Sequence, residues 1–137
     1  SVPMRQIVVK QIERPIIRDE GEDLQWFCNS LGIGEGRDLE RIAPRVLFTL
    51  LEHQPHEKGL PVDTIAQDLA VSSSRINHHI RNLVDAGAVY RHKRLIYLRG
   101  NSLRSMVQEI RKDVLRMLDD LEIAAAEIDQ AFGIGKR

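Results

Sequence analysis

The stretch SSSRINHHIRNLVDAGAVYRHKRLIYL, residues 72–98, decides the fold of this chain. At ~100° per residue, Ile76, Ile80, Leu83 and Val84 cluster on one side of a helix spanning 73–86. Ser72 stands where an N-cap hydroxyl accepts from the amides of the first turn. Gly87 stands where a left-handed residue ends a helix. Val89–Arg91 and Leu95–Leu98 then pair as a two-stranded ribbon around His92, Lys93 and Arg94. Upstream, VDTIAQDLA (62–70) reads as a shorter helix with Ile65, Ala66 and Leu69 inward, and Val71 and Ser72 form a tight connection. Two helices joined by so short a turn make a helix-turn-helix unit.

The face opposite the apolar cluster carries Ser74, Arg75, His78, Arg81 and Asn82, with Asn77 and His79 on its flanks and no acid. Arginine pairs bidentately with guanine and asparagine with adenine, so this is chemistry suited to a major groove. Residues near the start of such a helix reach base edges, which singles out Arg75 and His78. Ser72, Ser73 and Ser74 would offer hydroxyls and amides to a phosphate at the helix N-terminus. Arg91, His92, Lys93 and Arg94 crowd the ribbon tip, which would lie along the backbone or enter a minor groove. The expected DNA-contact set is Ser72, Ser73, Ser74, Arg75, Asn77, His78, Arg81, Arg91, His92, Lys93 and Arg94. Tyr90 and Tyr97 are expected to pack against the body of the domain.

The charge distribution agrees. The 137 residues carry 20 basic and 20 acidic side chains, a formal net charge of zero. Between Arg75 and Arg104, however, stand Arg75, Arg81, Arg91, Lys93, Arg94, Arg99 and Arg104 against the single acid Asp85, a local excess of +6. The remainder is therefore −6, and one basic block on an acidic body is the footprint of a protein that turns one face to phosphate. Only 4% of residues are aromatic, too few for the stacking platforms of single-stranded RNA readers. The single cysteine, Cys28, excludes an internal disulfide and points to a reducing, cytoplasmic setting. No apolar run approaches the ~18 residues of a membrane span, and no signal peptide is visible. Ser1–Pro3 read as a foreign leader, with Met4 the expected native start.

Other segments frame this unit. Residues 5–13, with Ile7, Val8, Val9 and Ile12, read as a strand or an extended arm. Residues 20–31 place Leu24, Phe27, Cys28 and Leu31 on one helix face, so Cys28 reads as a buried, inert thiol. GIGEG (32–36) is a linker, lacking the preceding strand and spacing of a phosphate loop. Residues 39–53 form a further helix through Leu39, Ile42, Ala43, Val46, Leu47, Leu50 and Leu51, with Asp38 as N-cap and Pro44 near its first turns. His53, His56 and Glu57 straddle a proline in a polar loop and read as solvated, so no metal is expected. No spaced nucleophile–base set, carboxylate pair or cofactor loop occurs, so neither an enzyme nor a cofactor is expected.

Residues 102–131 read as one long helix. Leu103, Val107, Ile110, Val114, Met117, Leu121, Ala124, Ile128 and Ala131 alternate spacings of four and three, a heptad seam. At ~1.5 Å per residue it spans about 45 Å, more than a body this size covers. The expected partner is a second copy, dimerising through Leu103, Val107, Ile110, Val114, Met117, Leu121, Ala124 and Ile128. Asp113, Asp120 and Glu127 would flank the seam on one side. Leu118, Ala125 and Phe132 widen the apolar face, so contact with the helix of Leu24, Phe27 and Leu31 is also expected. An intramolecular bundle without a dimer is the competing reading.

From about residue 39 to 101 the chain resembles the winged helix-turn-helix regulators of the ArsR and MarR type. The resemblance lies in the serine-rich helix start (Ser72–Ser74), the pair His79–Ile80, Leu83, and Ala86, Gly87 and Val89 opening the ribbon. It implies a dimeric transcriptional regulator, although the ligand set of the metal-sensing members is missing. The expected fold is mainly α with a small β-hairpin wing. Residues 1–36 would be an arm and helix, 37–101 the winged helix-turn-helix, and 102–137 a coiled-coil-like dimerisation helix. The expected function is sequence-specific binding of double-stranded DNA as a homodimer. The alternative is a winged-helix interaction or architectural chromatin module without strong sequence specificity.

Overall fold

In a computed structural model, residues 4–17, 19–34, 40–56 and 59–135 are described. Among them the protein is mainly helical, with five α-helices and one two-stranded antiparallel hairpin: α1 (Glu20–Ser30), α2 (Ile42–His53), α3 (Val62–Leu69), α4 (Ser73–Asp85), β1 (Val89–His92), β2 (Leu95–Leu98) and α5 (Leu103–Ala131).

The core forms where α2, α3 and α4 meet beneath the hairpin. Val46 and Leu47 from α2, Ile65 from α3, Ile76, Ile80 and Leu83 from α4, and Val89, Ile96 and Leu98 from the hairpin are all buried. Ile76, Ile80 and Leu83 are the inward residues that helical spacing predicts. Ser72 caps α4, its hydroxyl accepting from Arg75 N at 3.3 Å. At the other end Ala88 N donates to Leu83 O at 2.9 Å and Gly87 N to Val84 O at 3.0 Å, with Gly87 at φ +81°. That is the double-hydrogen-bonded helix stop that a glycine makes without steric cost.

Leu60 exchanges backbone hydrogen bonds with Ile96 at 2.9 and 2.8 Å, so the segment ahead of α3 lies on the open edge of β2. Gly100, at φ +76°, turns the chain from β2 into α5. A side chain there would lie 2.7 Å from Ser105 Cβ and 2.9 Å from its carbonyl carbon, so the turn closes only around glycine.

Several expectations need correcting. Of the two readings offered for residues 5–13, the strand is absent and the arm is found, held by Gln6 N to Asp85 O at 2.9 Å and Lys10 N to Ser30 O at 2.7 Å. The second helix starts at Ile42, with Pro44 in its first turn, where a proline's missing N–H is harmless. Its N-cap is Arg41 in left-handed conformation. Asp38, Leu39 and Glu57 lie outside the described residues. The helix of Leu24, Phe27 and Leu31 packs on α2, and α5 meets the groove beside it through Leu103.

The largest correction concerns α5. Its first half is seated on the body through Met106, Ile110 and Asp113, all buried. Met106 and Asp113 are off the heptad seam, because the stripe that meets the body runs 103, 106, 110, 113. Asp113 is no flanking surface charge: it is 3% exposed. Its carboxylate accepts from Arg99 at 2.6 Å and Arg116 at 2.7 Å, and Arg5 stands 3.6 Å away. Burial pushes this carboxyl up, but the hydrogen bonds from Arg99 and Arg116 and the charges of Arg99 and Arg5 outweigh it and hold it below the usual carboxylate value. Arm, hairpin exit and α5 are thereby tied at one point. Beyond Met117, every described residue of α5 is exposed.

Candidate nucleic-acid interface

The polar face of α4 emerges where helical arithmetic puts it. Ser74, Arg75, His78, Arg81 and Asn82 are all exposed, and Asn77 and His79 are half-buried on its flanks. Arg75 on this face and the neighbouring Ser73 have structural partners. Arg75 Nη2 donates to Glu40 Oε2 at 3.1 Å, and both side chains are more than half exposed. Ser73 is half-buried and donates to Asp63 Oδ1 of α3 at 2.7 Å, which fixes the two helices relative to each other. Ser72 and Ser74 remain at the surface, their hydroxyls 3.4 Å apart. The His78 and His79 rings meet edge-on with centroids 5.4 Å apart.

The hairpin lies against this helix. Arg91 Nη2 donates to Asn77 Oδ1 at 2.9 Å, so the two residue sets form one surface. In the ladder Val89 faces Leu98, Tyr90 faces Tyr97, Arg91 faces Ile96 and His92 faces Leu95, leaving Lys93 and Arg94 as a two-residue turn. Both turn residues are left-handed, at φ 49° and 67°. Two successive positive φ values define the turn that matches strand twist, usually built from Asn-Gly. Arg91, His92, Lys93 and Arg94 are all exposed. Among the described residues, the side chains of Arg81, Lys93 and Arg94 make no ion pair or hydrogen bond. Tyr97 packs over Gly59, and Tyr90, 39% exposed, stacks on Tyr97 with centroids 5.1 Å apart. The tyrosines brace each other across the ladder.

A second geometric feature escapes a reading of α4 by itself. The N-terminal arm and the segment after α1 stand beside the polar face of α4. Together they enclose a pocket of about 490 Å³, lined by Gln6, Val8 and Gly32 as well as Arg75, His78 and Asn82. The residues expected to read bases therefore face the chain's own arm, and Arg75 is held by Glu40 besides. The only sequence signal for this was the apolar run at 7–9, whose placement depends on long-range contacts.

Cys28 is fully buried, and burial pushes its thiol up to about 12, which suits packing and not nucleophilic chemistry. No cluster of three potential metal ligands exists among the described residues. His53 instead approaches Asp68 at 3.8 Å on the surface. Among those residues no helix is long and apolar enough to cross a membrane. On the proposed dimer seam, Ile110 is buried, Leu103, Val107, Val114 and Met117 are half-buried, and Leu121, Ala124 and Ile128 are exposed.

Fold and surface together define a small helical protein that presents a basic helix-and-hairpin face. The family model for the replication protein A C terminal matches residues 4–92, and the chain belongs to that family. No curated protein and no solved structure matches it. The family match overturns the resemblance to ArsR and MarR regulators. The shared residues at 72–89 encode a helix cap, a buried helix face and a glycine stop. Any helix-turn-helix leading into a hairpin needs these, so they carry fold information and little family information. The match ends at His92, which leaves β2 and α5 outside it.

Proposed function

We propose that the chain is a winged helix-turn-helix module that docks on duplex DNA largely through backbone contacts, without strong sequence preference, and acts as a homodimer. Its role in this reading is architectural or adaptor-like and not enzymatic. The carrying observation is the Arg91–Asn77 hydrogen bond, which joins α4 to the hairpin and makes Arg81, Lys93 and Arg94 parts of one surface. Cations without internal partners gain most from phosphate, because binding releases condensed counterions. Membership of the replication protein A C terminal family supports a DNA-related or protein-interaction role and gives no support to transcription control. The engagement of Arg75 by Glu40 favours backbone docking over base reading. Residues 62–98 carry the DNA face, and residues 103–135 serve association.

The test is fluorescence anisotropy with duplexes of unrelated sequence at 50 and 200 mM salt. The expected result is similar affinity for all duplexes and a steep loss with salt. Absence of binding at the lower salt, or one sequence bound a hundredfold tighter than the rest, would overturn the proposal. A protein-docking reading is favoured by one observation, an apolar groove of about 590 Å³ lined by Leu24, Trp26, Phe27, Phe48, Leu51 and Leu103.

A further inference from the structure

The free half of α5 carries Leu118 at 52%, Leu121 at 64%, Ile128 at 58% and Phe132 at 79% exposure on a wide apolar face. Among the described residues nothing of its own chain covers this half-helix, and helices this short draw their stability from packing. We infer that this segment pairs antiparallel with the same segment of a second copy, in the register that sets Leu121 opposite Ala124. The inference rests on the homodimer reading above and adds its orientation.

Three observations select this arrangement. The first is size matching along the seam. Setting Leu121 opposite Ala124 of the second copy also sets Met117 opposite Ile128 and Val114 opposite Ala131. Every seam position from 114 to 131 is used once, and two of the three layers join a larger side chain to an alanine, as interdigitating cores require. A parallel pair would stack Ala124 on Ala124 and Ala131 on Ala131, two thin layers that leave gaps.

The second is crowding. Seam residues ahead of Met117 are already partly or wholly covered by the body of their own copy. A parallel pair would bring both bodies to the same end of the zipper, about 10 Å apart at the helix axes. A body of this size has a radius of gyration of about 13 Å, so the two would collide. The antiparallel pair sends them to opposite ends.

The third is charge. Arg111, Lys112 and Arg116 lie at the body end, whereas Asp119, Asp120, Glu122, Glu127 and Asp129 follow with no Lys or Arg among them. Antiparallel pairing brings Asp129 of one copy level with Arg116 of the other, while parallel pairing sets like against like. One like-charge approach remains, Asp120 towards Glu127 of the second copy, at the solvent edge where salt screens it. Four exposed side chains, Leu118, Leu121, Ile128 and Phe132, each offer about 100 Å² and the half-buried Met117 roughly half as much, so the pair buries about 900 Å² before the flanking alanines and polar stems bring it to the ~1,000 Å² floor of a specific interface.

The register has a geometric consequence for the DNA-facing reading. A side chain on Gly87 would lie 3.4 Å from Ile110 Cγ1, so the end of α4 rides beside residue 110 of α5. In this register the two copies of Ile110 stand about 38 Å apart along the helix axis. That is close to the ~34–36 Å of one duplex turn, the spacing two half-sites on one duplex require.

The test is disulfide trapping in the full chain, with the buried Cys28 of wild type as the background. Met117→Cys and Ile128→Cys are made separately. Under mild oxidation, each variant by itself should stay uncrosslinked, and an equal mixture should give a covalent heterodimer. Crosslinking of Ile128→Cys with itself would establish parallel pairing and overturn the inference. Sedimentation of wild type should give twice the chain mass at tens of micromolar, and a monomer would overturn the dimer as well. Leu121→Glu, at an exposed position, should sediment at half the wild-type mass and lose no more helical circular dichroism than the free half of α5 supplies. If wild type fails to bind DNA but the mixture crosslinks, the DNA reading falls and this inference stands.

Discussion

Replacing the hairpin turn Lys93-Arg94 by Asn-Gly should stabilise the protein and weaken its grip on DNA at the same time. Both residues sit at positive φ, 49° and 67°, without being glycine. The left-handed conformation costs an ordinary side chain roughly 1–2 kcal/mol. Asparagine tolerates it and glycine adopts it freely. Against the relief stands the added freedom that glycine gives the unfolded chain, about 0.5–1 kcal/mol. The net expectation for K93N/R94G is a gain of about 1–2 kcal/mol, measured by urea denaturation followed by circular dichroism. The ladder from Val89–Leu98 to His92–Leu95 already has the register this turn produces, so no strand residue has to move.

The DNA side of the prediction follows from the two lost charges. Each phosphate neutralised contributes ~0.9 to the slope of log affinity against log salt. Losing two should lower that slope by about 1.8, so that between 50 and 200 mM the variant loses about tenfold less affinity than wild type. Opposite signs for stability and binding would mark the turn as strained in the service of charge placement, a pattern common at functional sites. A variant that is less stable than wild type, or that keeps the wild-type salt slope, would refute the reasoning.

Asp113→Asn should cost about 3–5 kcal/mol, because it leaves Arg99 and Arg5, both largely buried, without a counter-charge. Because the folded-state pKa of Asp113 is depressed, its stabilisation is complete well above the ordinary carboxylate value near 3.9. It is lost as pH falls through the lower folded value, so the gap between wild type and variant in denaturation experiments should close in acid. Gly59→Ala puts a methyl 2.6 Å from Tyr97 Cζ. It should displace that ring, cost about 1–3 kcal/mol and change the near-ultraviolet circular dichroism of the Tyr90–Tyr97 stack. Leu83→Ala, at the buried junction of α4 and the hairpin, should cost about 2–5 kcal/mol by thermal unfolding.

The parts of this fold legible in sequence are those set by local spacing. Ile76, Ile80 and Leu83 fix which way α4 faces, Ser72 and Gly87 fix its ends, and the apolar runs at 89–91 and 95–98 mark a hairpin, although spacing alone leaves His92 in a three-residue turn where the structure pairs it with Leu95. None of these depends on a residue far along the chain. The arm was legible only as an apolar run, because its path depends on the carbonyls of Asp85 and Ser30, which composition does not mark. Asp113 was misread for a related reason. On α5 the stripes 103, 107, 110, 114 and 103, 106, 110, 113 satisfy helical spacing equally well. The sequence places an acid on the second, which makes the first look like the buried stripe. What reverses that choice is a supply of cations from three other places: Arg5 on the arm, Arg99 at the hairpin exit and Arg116 one turn on.

The same ambiguity bears on the two roles proposed for α5. A helix with a single apolar stripe must choose between its own body and a partner. Here one face meets both demands in turn: at ~100° per residue Met106, Ile110 and Asp113, buried on the body, lie within about 80° of Leu121 and Ile128, which continue the face past it. Asp113 is the last body-facing residue, and its arginine cluster clamps the helix there. The free half thus projects from a fixed point in a fixed direction. In the proposed dimer a rigid projection of this kind would set the distance between the two basic faces, whereas a flexible tether would leave it undefined. The backbone-docking proposal requires that spacing, because contacts that read no sequence gain selectivity chiefly from the geometry with which two sites meet one duplex.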